Sequence, residues 1–229
     1  MADFSPSADT WLRESTPAAN YGTAQSFILG WDTGAGSGKN RIVLRFDLTS
    51  LPAGANITAA TLTLVKDTAS ASAVVDGIYY FRRLTQTAWV QLEATWNIYK
   101  TGSNWITAGA SGDYTTTDQD SVTITAATTS MVFGSLAPLV QEAINNRAEV
   151  LDVIIMQAET AQGDFLVVWS QDASVSTNRP SLSVTHSFIP IEVEAIQIFA
   201  PGIVMAQVIP DYVPAQTGIG GGEALEVKG

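Results

Sequence analysis

Ile57-Thr58-Ala59-Ala60-Thr61-Leu62-Thr63-Leu64-Val65 ends in a clean alternation. Thr61, Thr63 and Val65 fall on one side of an extended chain, with Leu62 and Leu64 on the other. That period of two is what a strand with one buried face requires. The stretch before it, Leu51-Pro52-Ala53-Gly54-Ala55-Asn56, is turn chemistry. The same unit of short apolar run plus turn extends outward in both directions. Residues 26–31 read as a strand closed by the glycine-rich loop 32–38, and residues 41–48 read as the next one. There Val43 stands beside Leu44, which implies burial on both faces. Residues 77–84, 121–125, 150–156, 164–170 and 181–188 complete the strand set, and a connection rich in Trp, Gly, Asn and Asp spans residues 85–120. Leu136, Leu139, Val140, Ala143 and Ile144 alone recur at helical spacing, with Ser135 as the expected N-cap and Pro138 in the first turn. The pattern predicts an all-β fold: an antiparallel two-sheet β-sandwich of jelly-roll type, with one short helix and an extended C-terminal arm.

The 229 residues suit one β domain, residues 1–188, followed by the arm, residues 189–229. Only 14% of residues are charged, which favours sheets whose outer faces carry hydroxyls rather than ion pairs. Net charge is −11, with 22 acids against 11 bases. A nucleic-acid binder needs a basic footprint, and an anionic membrane attracts the same kind of surface, so neither partner is expected. The chain has no cysteine, so disulfides supply no stability. Met1–Pro6 lacks the basic and apolar regions of a secretory signal, and the expectation is a protein folded and assembled inside a cell.

The arm carries Pro190, Pro201, Pro210 and Pro214, which exclude a long helix. Between them stand Ile191, Val193, Ile196, Ile198, Phe199, Ile203, Val204, Met205, Val208 and Ile209. Burial of each is worth roughly 1.5–3 kcal/mol, yet so short a segment cannot build its own core. These ten residues are therefore the expected assembly interface. Residues 192–199 and 203–209 would add as strands to a neighbouring subunit, giving a homo-oligomer (trimer or dimer).

Four landmarks occur in order along the domain. They are Asn20-Tyr21-Gly22; residues 41–48 with Leu51-Pro52; Ala94-Thr95-Trp96-Asn97 followed by Thr101-Gly102 and Trp105; and Asn178-Arg179-Pro180-Ser181-Leu182-Ser183-Val184. Together they resemble the DNRLRE-domain family, jelly-roll modules related to carbohydrate-binding module family 96 and to the disaggregatase-related repeats. The resemblance covers residues 5–188 and leaves the arm outside. It implies a non-catalytic β-sandwich of the kind found in secreted, surface-attached and some phage structural proteins, with sugar binding attributed to some members. Family members usually sit inside large secreted chains, whereas here a single module carries an apolar arm. The expected role is thus a virion structural protein, a phage capsid decoration (cement) or tail-associated protein with other virion proteins as partners. The alternative is a carbohydrate-binding module that adheres to a glycan surface, working outside the cell.

The remaining motifs add little chemistry. Gly34-Ala35-Gly36-Ser37-Gly38-Lys39 is not a phosphate loop, because Thr33 and Asn40 stand where Gly and Ser/Thr are required. His186 is the only histidine, and no nucleophile-elbow sequence accompanies it, so no enzyme and no zinc site are expected. Asp113, Asp118 and Asp120 cluster in the connection and are candidate ligands for a structural Ca²⁺; no other cofactor is expected. Of six tryptophans, Trp96 and Trp105 are expected to pack the connection over the sheet. Trp31 and Trp89 are the candidate exposed platforms for a sugar ring.

Overall fold

The computed structural model describes residues 1–34, 36–70, 77–160 and 162–188, the Asp118 and Phe188 side chains excepted, together with the backbone of residues 196–198 and 204–206. The elements, in chain order, are β1 (Ala2–Phe4), β2 (Ala8–Arg13), β3 (Ser26–Trp31), β4 (Lys39–Asp47), β5 (Ala55–Val65), β6 (Gly77–Leu84), β7 (Ile98–Lys100), β8 (Ser103–Asn104), β9 (Tyr114–Ile124), β10 (Ser130–Phe133), α1 (Ala137–Asn146), β11 (Val150–Gln157), β12 (Asp164–Trp169) and β13 (Ser181–Phe188). A four-stranded sheet runs β1-β13-β5-β10, and a seven-stranded sheet runs β12-β3-β4-β11-β6-β9 with β2 paired to β4. Every pairing within these sheets is antiparallel, and the two sheets form the jelly-roll sandwich that the alternation predicts.

The core between the sheets follows from register. Leu62 of β5 pairs with Leu182 of β13 and with Phe133 of β10, so one cross-strand row is wholly apolar. Ile42, Leu44 and Phe46 of β4 and Leu151, Val153 and Ile155 of β11 supply the facing layer. Phe81 meets Phe133 at 5.7 Å between ring centroids. The intervening residues are buried too, but on the opposite face. Val43 and Ile154 join Leu12, Leu84, Trp89, Ala94, Trp96, Trp105 and Ala110 in a second apolar cluster. Residues 85–113 fold over the outer face of the larger sheet and cover it, so both Val43 and Leu44 are buried.

Two local expectations need correction. Residues 114–120 are not connection but the first half of the eleven-residue β9, stabilised by pairing along β6. Leu136, not Ser135, occupies the N-cap of α1, and no side chain caps it. The Ser135 amide instead donates to Asp120 Oδ2 at 2.9 Å. Helix α1 is tied to β5 through Gln141, which accepts from the Ile57 amide at 2.8 Å and donates to the Ala55 carbonyl at 3.2 Å.

Residues 189–229 form a separate unit. Within it, β14 (Ile196–Ile198) pairs antiparallel with β15 (Val204–Ala206), Gln197 opposite Met205. These two segments, expected to add to a neighbour, thus pair with each other. Of the assembly residues, Ile196, Ile198, Val204 and Met205 lie in this hairpin. Ile191, Val193, Phe199, Ile203, Val208 and Ile209 lie outside the described residues.

Candidate functional site

Strand β4 presents its odd-numbered residues to the outer face, because side chains alternate along a strand. Those residues are Lys39, Arg41, Val43 and Arg45. Each of the three cations lies over an indole: Lys39 Nζ at 5.5 Å from the Trp31 ring, Arg41 at 5.2 Å from Trp96 and Arg45 at 4.9 Å from Trp89. Such stacking contributes about 0.5–2 kcal/mol per pair, most where water is excluded.

Arg41 is a buried anchor. Its Nε and Nη2 donate to the two Glu159 oxygens at 2.6 and 2.8 Å, and its Nη1 donates to the Gly109 carbonyl at 2.6 Å. Lys39 Nζ reaches the same carboxylate at 3.2 Å. Burial works against the Glu159 charge, but Arg41 and then Lys39 outweigh it and hold the carboxyl below its usual range. Gly109 has φ +74°, and a Cβ there would come within 2.6 Å of the Trp96 ring, so only glycine lets the loop close on the indole. The Asn20-Tyr21-Gly22 landmark ties down the same connection. Asn20 Nδ2 donates to the carbonyls of Gln91 and Ala94, both at 2.7 Å, and Gln91 Nε2 donates back to the Gly22 carbonyl at 2.6 Å.

At the other end of the row the packing opens. Asp152 of β11 is 2% exposed; its Oδ1 accepts from Arg45 Nε at 2.8 Å and from Trp89 Nε1 at 2.6 Å. Its Oδ2 is buried with no hydrogen-bond partner among the described residues. Burial pushes the Asp152 carboxyl above its ordinary range, and the Arg45 and Trp89 hydrogen bonds with the Arg147 charge pull against it. Beside it lies an open cleft of about 460 Å³ lined by Arg45, Thr87, Asn146, Arg147, Val150 and Asp152. Arg45 donates to the Thr87 carbonyl on one wall, and Arg147 pairs with Glu142 at 2.5 Å on the other. Two arginines, an asparagine and an aspartate therefore line one opening. That set can hydrogen-bond hydroxyls and oppose a negative substituent.

The two tryptophans expected to be sugar platforms fare differently. Trp31 is half-buried, with Lys39 over its ring. Trp89 is 1% exposed and offers no face to a ligand, because its ring lies in the second apolar cluster and its N–H is taken by Asp152. Trp96 and Trp105 do pack the connection over the sheet, Trp105 Nε1 donating to the Thr95 carbonyl at 2.8 Å.

The candidate calcium ligands are not brought together. Asp113 is buried and accepts from the Ile106 amide at 2.9 Å, its carboxyl raised by burial. Asp120 accepts from the Ser121 and Ser135 amides. An extended strand rises ~3.3 Å per residue, which separates the two by roughly 20 Å. The Asp118 side chain lies outside the described residues, and among those described no three acidic, His or Cys side chains converge as metal ligands. Arg41, Arg45, Asp152, Arg147 and Glu159 went unnoticed in the sequence. The available signal was Lys39, Arg41 and Arg45 at alternate places in an apolar strand of a chain so poor in charge.

A sandwich with a loop-covered outer sheet and a polar cleft at the rim has the build of a β-sandwich binding module. The model of carbohydrate-binding module family 96 matches residues 1–186, and the chain belongs to that family. A search of curated proteins returns no match.

Proposed function

We propose that the module binds a glycan in the cleft between Arg45 and Arg147. The observation that carries this reading is the convergence of Arg45, Arg147, Asn146 and Asp152 on one open cleft. Arg45 is held in place from three sides, by Asp152, Trp89 and the Thr87 carbonyl. It is thus preorganised, and binding costs little of its side-chain entropy. Trp31, half-buried at the far end of the row, is a second contact for a longer chain. The place of work implied is a glycan-bearing surface. The virion reading rests on the arm alone, and the family match lends it no support.

Affinity gels with alginate- or pectin-like polymers and with neutral polymers test the proposal. Retention of the wild-type protein by at least one polymer is expected, weakened about tenfold or more in Arg147→Ala, a loss of about 1.4 kcal/mol. Full retention in both Arg147→Ala and Asn146→Ala moves the site elsewhere. Loss confined to Trp31→Ala assigns it to that ring.

A further inference from the structure

Arg45, Asp152, Trp89 and Thr87 form a closed ring of contacts. Arg45 and Asp152 stand directly opposite each other on β4 and β11. Asp152 Oδ1 accepts from Arg45 Nε at 2.8 Å and from Trp89 Nε1 at 2.6 Å. Arg45 closes the ring, its guanidinium lying over the Trp89 indole and donating to the Thr87 carbonyl. A single carboxylate oxygen therefore ties two strands to the connection. Three members of the ring, Arg45, Thr87 and Asp152, also line the cleft.

The strength of the ring depends on the Asp152 charge, because hydrogen bonds to a carboxylate are roughly twice as strong as those to a neutral acceptor. Oδ2 has no donor among the described residues, so a proton adds there and leaves Oδ1 a neutral carbonyl. Arg45 then loses its countercharge, and its side chain, 26% exposed, has water as an alternative partner. The other charges nearby do not restore the hold. Arg147 at the end of α1 is itself a cation, paired with Glu142. Arg83 of β6 stands opposite Val153 and so shares that residue's face of the sheet, not that of Asp152.

We propose that this ring is a pH-sensitive latch: protonation of Asp152 frees Arg45 and the Thr87 segment, and the cleft's hold on its glycan weakens as the medium acidifies. The weakening rests on the glycan-binding role proposed above, whereas the latch itself does not. Burial chiefly raises the Asp152 carboxyl, opposed by the hydrogen bond and charge of Arg45, then by Trp89 and Arg147. The latch thus opens at a higher pH than an exposed aspartate would need for protonation. Once it is open, each bound sugar must immobilise Arg45 anew, an entropic cost that corresponds to roughly three- to tenfold in affinity.

Two measurements on the full chain test this. In NMR spectra of labelled protein, the Trp89 indole N–H signal is expected to move as pH falls from about 8 to about 4. Trp11 and Trp105 donate instead to Asn40 and to the Thr95 carbonyl, neither of which titrates. Asp152→Asn, a permanently neutral stand-in, abolishes the movement. On a polymer that holds the wild type, retention of this variant is already weakened roughly three- to tenfold at about pH 8. An indole signal that stays still in the wild type, the same movement in Asp152→Asn, or undiminished retention of that variant overturns the proposal. A titrating indole in a protein that no polymer retains upholds the latch and overturns the glycan reading instead.

Discussion

Replacing Asp9 by Asn changes how stability depends on pH, and the burial of its carboxyl sets the size. Burial holds the Asp9 carboxyl up from 3.8 to about 7 in the folded protein. The folded state therefore binds this proton more tightly than the unfolded chain does. The stabilising contribution is complete below the unfolded value and lost as pH climbs towards the folded one. At 1.36 kcal/mol per pH unit, the wild-type protein forfeits about 4 kcal/mol from this group between acid pH and pH 8. Asn does not titrate. It can still accept from the Gln171 amide, and any cost of burying its NH₂ is the same at every pH. The assay is urea unfolding of both proteins at several pH values. The stability of Asp9→Asn relative to wild type should rise by about 4 kcal/mol from pH 4 to pH 8. Other carboxylates titrate equally in both and cancel in the difference. A difference that stays flat across this range refutes the assignment of Asp9 as a buried, poorly matched acid.

Glu159→Ala leaves the buried Arg41 guanidinium without its carboxylate and should cost about 3–5 kcal/mol in chemical unfolding; a loss below about 1 kcal/mol would mean that solvent already neutralises the pair. Gly109→Ala should open the connection by pushing against Trp96, read as a red shift in tryptophan emission and a lower melting temperature. An unchanged spectrum would contradict the close approach. Deleting residues 189–229 is expected to leave a folded, monomeric sandwich by light scattering, since residues 1–188 form a compact unit by themselves. An oligomer that survives the truncation overturns the arm's proposed part in assembly.

The architecture was legible wherever burial depends on neighbours one or two residues away. Leu62 and Leu64 alternate with Thr61 and Thr63, and the strand segments expected within residues 1–188 recur in the two sheets. Val43 beside Leu44 correctly announced a covered outer face, because a solvated face would have a polar residue at one of the two positions. What failed was whatever depends on distant partners. Trp89 lies in a polar, glycine-bearing connection and reads as exposed, yet its N–H meets Asp152, 63 positions on. Asp113 and Asp120 are close in sequence, but an extended strand carries them apart. Asp9 and Gln171 are the reverse case, 162 positions apart in the chain and hydrogen-bonded only through the fold. The helix was visible from its apolar spacing, whereas its start was not, because the helix begins one residue later, with Leu136 at the N-cap and no side chain capping it.

The central claim is that the rim of the larger sheet, not an exposed tryptophan, receives the glycan. A crystal structure of the module soaked with an oligosaccharide of a polymer that retains it tests this directly. Sugar density between Arg45 and Arg147, with a hydroxyl hydrogen-bonded to Asn146 or Arg147, is the predicted result. Sugar stacked on Trp31 with the cleft holding only solvent would contradict it.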